Sequence, residues 1–379
     1  MTPPSPREFD SIRVGYHADP ARSLSLRSEA YVDPIWFDVD QRAIISRTWQ
    51  WICHAEKVRS AGTYITGKVA GKPVAVVRDK EGILRAFYNV CKHRAHPVLS
   101  GEGPLGGIIC PYHAWRYELD GQLAAAPRTG TLKDFSTKDI RLTEIQVEEF
   151  CGFIFVNLDS SAPALSALSG SLESEIRHWA PDIDKLTFGH RLTYDIKSNW
   201  KNVVDNFLEC YHCPVAHRDF CTLVDMSTYK VTTHGIYSSH MADAGRAANS
   251  AYDTSTASVR THAVWWLWPN TCLMRYPGRS SMIVLHIMPV GADRTLETYD
   301  FFLETPNPDD SERKAIHYLD SVLQAEDIAI VESVQRGMGT PAFTQGRIVS
   351  DPDGSGMSEH AVHHFHGLVL DSYQMASRG

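Results

Sequence analysis

Two short steps, Cys91-Lys-His93 and Cys110-Pro-Tyr-His113, constrain this chain more than any other feature. They place two thiols and two imidazoles in a region dense in β-patterned runs: residues 63–66, 73–77, 84–88 and, further on, 152–156. Gly and Asp/Asn turns separate these runs, so the region predicts a small all-β domain with the four side chains at loop tips. A second cluster, Glu209-Cys-Tyr-His212-Cys-Pro-Val-Ala-His217, supplies two more histidines. Any fold of this chain has to present both sets.

Two cysteines with two histidines are the ligand set of a Rieske [2Fe–2S] centre, here Cys91 and Cys110 on one iron and His93 and His113 on the other. Imidazole is neutral where thiolate is anionic, so the His-bound iron is the easier to reduce and the potential rises. A structural Cys2His2 zinc site takes the same ligands. It is the weaker reading, because both pairs follow strands rather than opening a finger helix and a second cluster offers a consumer of electrons. His96 reads as a surface or outer-sphere histidine.

The second cluster needs one carboxylate to complete a 2-His-1-carboxylate site for Fe(II), a site able to activate O2. On a helix predicted over residues 200–212, Asp205, Glu209 and His212 fall at i, i+4 and i+7 and share a face. Pro214 disfavours helix at Cys213, so the helix is expected to end or bend there and let His217 swing back towards His212. Asp327, in a helix predicted over residues 309–336, is the best third ligand. Glu326, about 100° away around that helix, is the alternative. Cys210 and Cys213 form a C-x-x-C, which admits a redox-dithiol reading. They flank Glu209 and His212 and are read as packing thiols, as are the isolated Cys53, Cys151, Cys221 and Cys272.

Length and composition fit this picture. At 379 residues, 43% hydrophobic and 22% charged, the chain has the make-up of a soluble protein with one large or two moderate domains. Lys+Arg 37 against Asp+Glu 45 gives a net charge of -8, with no basic run interleaved with aromatics, so nucleic acid is not an expected partner. The first 28 residues contain no apolar core of a signal peptide and no apolar run is long enough to span a bilayer, so a cytoplasmic protein without membrane contact is expected. Three segments are expected: residues 1–45, polar then mixed, with Trp36 and Phe37 as packing anchors; the β-rich residues 46–160; and residues 161–379. The last reads as α+β, with helices over 165–179, 200–212 and 309–336 and antiparallel strands over 186–199, 259–268, 280–289 and 295–304. Its end, from Glu359, is histidine-rich.

Trp265-Trp-Leu-Trp268 is the stretch that speaks to substrate. On a strand, Trp266 and Trp268 face one side, and two indoles on one wall can cage a trimethylammonium group by cation–π attraction. Arg275 or Arg260 then offers a fork for a substrate carboxylate. The competing reading, equal in weight, is that these tryptophans fill a core.

The motifs Cys91-Lys-His-Arg, Cys110-Pro-Tyr-His-Ala-Trp, Asn199-Trp-Lys, Asp205-Asn-Phe-Leu-Glu-Cys-Tyr-His and Glu326-Asp with Glu332-Ser-Val-Gln-Arg-Gly resemble those of the terminal oxygenase (alpha) subunits of Rieske non-haem iron oxygenases. The tail, Gln345-Gly-Arg with Gly354-Ser-Gly-Met-Ser-Glu-His, resembles the carnitine monooxygenase branch that acts on quaternary ammonium compounds. The resemblance implies an all-β Rieske domain joined to a helix-grip (START-like) catalytic domain with an antiparallel sheet and a long C-terminal helix, assembled as a homotrimer. It implies a [2Fe–2S] cluster, a mononuclear Fe(II), and an NAD(P)H-dependent flavin/iron–sulfur reductase as partner. It places Glu209 as a bridge between the partner subunit's His113 and His212, with Asp205 one turn earlier, near the iron. The activity so implied is hydroxylation by O2 of a carbon next to nitrogen in a carnitine- or betaine-type substrate, leading to C–N cleavage or N-demethylation. An aromatic-ring dioxygenase and a non-catalytic electron-transfer protein are the alternatives.

Overall fold

A computed structural model describes residues 4–245 and 257–378. The chain divides into two compact units: Met1–Ile44 with Leu168–Gly379, and Ile45–Ala167. The second unit is therefore an insertion in the first.

The chain begins with α1 (Pro6–Ile12), α2 (Glu29–Val32) and α3 (Pro34–Val39). Asp33 opens α3 by accepting from the Ile35 amide, with Pro34 at the first helical position, where its missing N–H costs nothing. This segment is stitched to the far end of the chain: Ser25 N donates to Gly346 O (2.9 Å) and Ser28 N to Thr344 O (2.8 Å), and Trp36 stacks on Tyr373 (4.8 Å). Asp40, fully buried, pairs with the equally buried Lys201 and accepts from Trp200 Nε1 (2.9 Å) and Tyr373 Oη (2.6 Å).

The inserted unit is all-β. Strands β1 (Gln50–His54), β2 (Thr63–Val69), β3 (Lys72–Arg78), β4 (Leu84–Tyr88), β5 (Glu102–Pro104), β6 (Ile108–Ile109), β7 (Arg116–Tyr117), β8 (Leu123–Ala125), β9 (Glu144–Phe150) and β10 (Phe153–Asn157) form two antiparallel sheets. Their orders are β1-β10-β9-β4-β3-β2-β5 and β6-β7-β8. A core of Val77, Phe87, Val98, Ile108, Trp115, Tyr117 and Leu123 encloses Cys91 and Cys110. Gly121 adopts a φ of +88°, and a Cβ there would meet the Phe87 ring at 2.7 Å, so only glycine fits that turn.

Residues 165–179 form two helices rather than one, α4 (Leu165–Leu168) and α5 (Leu172–Trp179), because Gly170 takes a φ of +56° between them. Then come β11 (Thr187–Ile196), α6 (Trp200–Phe207), α7 (Cys213–Ala216), α8 (Phe220–Leu223), β12 (Lys230–His234), β13 (Tyr237–Asp243), β14 (Thr261–Leu267), β15 (Thr271–Arg275), β16 (Ser281–Gly291) and β17 (Arg294–Leu303). The strands make one antiparallel sheet, β11-β17-β16-β15-β14-β13-β12. The helix expected over 309–336 is α9 (Asp310–Tyr318), a π-helical stretch over Leu319–Leu323, and α10 (Gln324–Met338). The histidine-rich tail is a further helix, α11 (His360–Ala376), which the sequence reading leaves unassigned.

Strand register sorts the sheet's side chains into two faces. The cross-strand pairs His240↔Val264, Cys272↔Leu285, Leu285↔Tyr299 and Ile287↔Glu297 put these residues, with His262 and Ile196, on the face that looks into a cavity. On the other face, Glu175 of α5 accepts from Trp265 Nε1 (3.2 Å), Ser239 Oγ (2.6 Å) and Tyr237 Oη (2.9 Å).

Candidate metal centres

The two Cys/His loops of the inserted unit have the same backbone. Cys91 N donates to His96 O and Ala95 N to Cys91 O; likewise Cys110 N donates to Trp115 O and Ala114 N to Cys110 O, all at 2.9–3.0 Å. Ala95 and Ala114 have φ of +57° and +56°, a conformation uncommon outside glycine, so each loop turns back sharply one residue or two past its histidine. The turns bury both thiols, Cys91 3% and Cys110 2% exposed, and leave His93 and His113 at the surface, ring centroids 4.6 Å apart. Burial and the neighbouring Cys91 push the Cys110 thiol up. Tyr117 Oη lies 3.3 Å from Cys91 Sγ and accepts from Lys92 N (3.0 Å), and Trp115 stacks on His93 (4.9 Å). Among the described residues, His212, His217 and Asp327 bring three ligand atoms within 4.8 Å of one another. Buried sulfurs behind exposed imidazoles fit a two-iron cluster with its His-bound iron outermost.

The second centre is built on a broken helix. The chain was expected to run helically from residue 200 to 212, with Asp205, Glu209 and His212 on one face. Instead α6 stops at Phe207, the Cys210 amide donates to Gly356 O (2.8 Å), and the Glu209 carboxylate accepts from the amides of Tyr211 and His212. Pro214 sits in the first turn of α7 and so starts a helix rather than ending one. Cys210 and Cys213 are joined as a disulfide across this turn, a correction to their reading as separate thiols. Cys53, Cys151 and Cys272 are buried and Cys221 partly so, and none of the four is in a disulfide.

This break lets two carboxylates hold the two imidazoles from behind. Glu209 Oε1 is 2.6 Å from His212 Nδ1, and Glu326 Oε2 is 2.8 Å from His217 Nδ1. The opposite nitrogens converge on one atom: Asp327 Oδ1 lies 2.9 Å from His217 Nε2 and 3.6 Å from His212 Nε2. Asp327 and Glu326 are thus not rivals, since successive residues of α10 address the two ring nitrogens of one histidine. Burial opposes charge on His212, but the Asp327 and Glu209 carboxylates outweigh it and raise its pKa to about 10; His217 is raised by the same balance, with Asp327 dominant among the attractions. Such surplus negative charge around two convergent imidazoles suits a divalent cation. Asp205 does not line the cavity. It accepts from Tyr31 Oη (2.6 Å) and His366 Nε2 (2.9 Å), joining the N-terminal segment to α11.

The centre opens into a cavity of about 700 Å³, including its mouth, lined by Phe207, Phe220, Tyr229, Tyr276 and Tyr299 together with His240, His262 and Glu297. The residues assigned to substrate from sequence are elsewhere. Trp266 and Trp268 pack on Phe365 of α11 (5.6 and 5.9 Å) and are not among the residues that line the cavity. Arg275 pairs across the sheet with Ala263, which turns it to the face away from His262 and Val264, where it binds Asp182 (2.6 Å). The missed lining residues carry little signal in sequence, because each is one alternate position of a strand or loop. Glu297 shares β17 with the charged Arg294 and Asp300, so its charge alone does not single it out in sequence; its place on the cavity lining does.

Residues 48–136 match the family model for the Rieske [2Fe-2S] domain, and residues 183–375 match that for the ring hydroxylating alpha subunit (catalytic domain). The carnitine monooxygenase oxygenase subunit of Escherichia coli (strain K12) is 34% identical over 359 residues, covering 94% of this chain and 96% of that protein. The chloroplastic choline monooxygenase of Beta vulgaris is 32% identical over 365 residues, covering 94% and 78%. A solved quaternary ammonium Rieske monooxygenase superposes with a TM-score of 0.89 at 32% identity, covering 95% of this chain and 98% of that one. With the two centres above, these matches make the chain an oxidoreductase of the ring-hydroxylating alpha-subunit family, with a Rieske [2Fe–2S] domain and a mononuclear-iron catalytic domain.

Proposed function

We propose that this chain is the terminal oxygenase component of a monooxygenase acting on a quaternary ammonium compound. The observation that carries this reading is the cavity itself: the His212, His217, Asp327 group opens into a chamber walled by aromatic rings and two further carboxylates, Glu209 and Glu297, a lining suited to a cation that cannot donate a hydrogen bond. The similarity to enzymes named for carnitine and choline supports the same class.

In this reading residues 46–160 form the electron-receiving domain, residues 161–379 the catalytic domain, and residues 1–45 a segment packed on the latter, with Met1–Pro3, residues 246–256 and Gly379 lying outside the described residues. Cys91, Cys110, His93 and His113 would hold the cluster, and His212, His217 and Asp327 the Fe(II). When bound, the cluster supplies single electrons and the iron activates O2. The protein's own groups set the conditions: Glu209 and Glu326 fix both imidazoles by their Nδ1 atoms and leave both Nε2 atoms facing Asp327. The aromatic lining keeps water from the substrate. Glu209 also connects His212 outward to the partner subunit's His113 in a homotrimer, and Asp205 steadies the approach through Tyr31 and His366. An NAD(P)H-dependent flavin/iron–sulfur reductase docks on the exposed Lys92, Arg94 and Arg116 beside the cluster loops. No helix among the described residues is long and apolar enough to cross a membrane, in keeping with a cytoplasmic enzyme.

The test is a single turnover: iron-loaded, anaerobically reduced protein is mixed with O2 and a panel of quaternary amines and benzoate-type acids, and products are read by mass spectrometry. A hydroxylated amine, an aldehyde or released trimethylamine supports the reading; a cis-diol from an aromatic acid refutes it. Glu209→Gln should keep the cluster absorbance and iron content and abolish turnover. An undiminished rate removes Glu209 from the electron path.

A further inference from the structure

The charge of the cavity is one-sided. Among the described residues that line it, Glu209, Glu297 and Asp327 are carboxylates, and none is lysine or arginine. Glu209 and Asp327 are engaged by His212 and His217. Glu297 is different. It is 1% exposed, pairs across the sheet with Ile287 on the cavity face, and has no cationic partner among the described residues. Its contact is neutral: Gln324 Nε2 donates to it, and Tyr299 Oη donates to Gln324 Oε1 (2.7 Å), which locks the amide with its NH2 towards the carboxylate. Burial, with Asp327 nearby, pushes its pKa well above the usual carboxylate range. A buried carboxylate lacking countercharge is costly, and a permanent cation lodged beside it supplies what is missing.

A second buried polar group of the described lining is His262. It is 2% exposed, both ring nitrogens are without a protein partner, and Tyr276, Tyr229 and Phe220 surround it at 5.2, 5.4 and 5.7 Å between ring centroids. Burial pushes its pKa down to about 3, so it is a neutral imidazole with one donor and one acceptor. That pair complements a hydroxyl. A carboxylate, which only accepts, finds one donor here and no guanidinium or ammonium anywhere on the described lining.

We propose that Glu297 is the specificity-determining residue that recognises the substrate's ammonium group, and that the substrate is a small quaternary ammonium compound whose other polar group is uncharged, an amino alcohol rather than a betaine. This rests on the quaternary-ammonium reading given above and narrows it.

The experiment compares choline, its uncharged isostere 3,3-dimethylbutan-1-ol, and glycine betaine, for binding by calorimetry and for single-turnover oxidation, on the iron-loaded full chain. Choline should bind about tenfold or more tighter than either comparator, as expected for a desolvated charge pair, and should be the compound oxidised. Glu297→Gln should weaken choline about tenfold and leave the isostere within about twofold, while Glu297→Asp restores part of the preference. Cluster absorbance and iron content report whether each variant is folded; if Glu297→Gln is not, the three ligands on the unaltered protein decide alone. Preferential oxidation of the betaine, or a choline preference unchanged in folded Glu297→Gln, overturns the proposal while leaving a quaternary-ammonium oxygenase intact. Oxidation of benzoate-type acids with no oxidation of any amine overturns both.

Discussion

Replacing Glu326 by alanine should weaken metal binding at the mononuclear centre without touching its three ligands. His217 is held at both ring nitrogens, by Asp327 at 2.9 Å and by Glu326 at 2.8 Å, and removal of the second frees the ring to turn and lowers the basicity of Nε2. Outer partners of metal-bound histidines typically contribute about 10- to 100-fold in affinity. Glu326 is 40% exposed and so partly screened, which places it at the low end. A tenfold loss corresponds to about 1.4 kcal/mol. Glu326→Gln keeps an oxygen able to accept from Nδ1 and should lose less than alanine does. The assay is Fe(II) or Co(II) titration of full-length, metal-stripped protein, with the [2Fe–2S] absorbance as an internal check on folding. Wild-type affinity in the alanine variant, or a glutamine variant weaker than alanine, would refute the argument that charge and orientation at Nδ1 tune this site.

Two further outcomes concern stability. Lys201→Met strands the fully buried Asp40 with only neutral donors and should cost about 3–5 kcal/mol, seen as a lower thermal midpoint; Asp40→Asn added to it should recover part of the loss. Burial pushes His240, His262 and His286 each to about 3. The unfolded chain takes up protons on them below its ordinary value of about 6.5, which the folded state refuses until near 3. Stability from these groups is therefore full above pH 6.5 and falls as pH drops through that window, by about 1.4 kcal/mol per pH unit for each. His286→Gln should make the acid limb of the stability profile shallower by that amount, and an unchanged slope would show that His286 is protonated in the folded state.

What was legible in the sequence was chemistry that sits in few residues. The Cys/His steps and the two later histidines are recognisable by type and spacing, and strands such as β16 and β17 by their apolar patterning, whereas no spacing separates Asp327 from Glu326 as the third ligand. What was hidden is made by contacts distant in sequence. Nothing between Trp200 and His212 says that the helix stops at Phe207, because the stop is secured by the Gly356 carbonyl and by the Glu209 side chain accepting from the Tyr211 and His212 amides. The histidine-rich tail gave no hint of its role in sequence; in the fold His360, His363 and His364 donate to the carbonyls of Val231, His17 and Gly235. For the tryptophans, strand parity correctly grouped Trp266 with Trp268. Which part of that face is cavity and which is core depends on where Phe365 lands.

The insertion of Ile45–Ala167 into the surrounding unit sets an order in time. On a ribosome the first helices emerge early, but Tyr31 must wait for Asp205 and His366, and Asp40 for Lys201 and Tyr373. At ordinary rates of synthesis the wait is on the order of tens of seconds. During it the inserted unit, whose sheets close among its own residues, can finish folding while its N-terminal neighbour stays unplaced. The N-terminal helices are therefore among the last elements to be locked, with Tyr31 and Asp40 held only once residues far along the chain are in place.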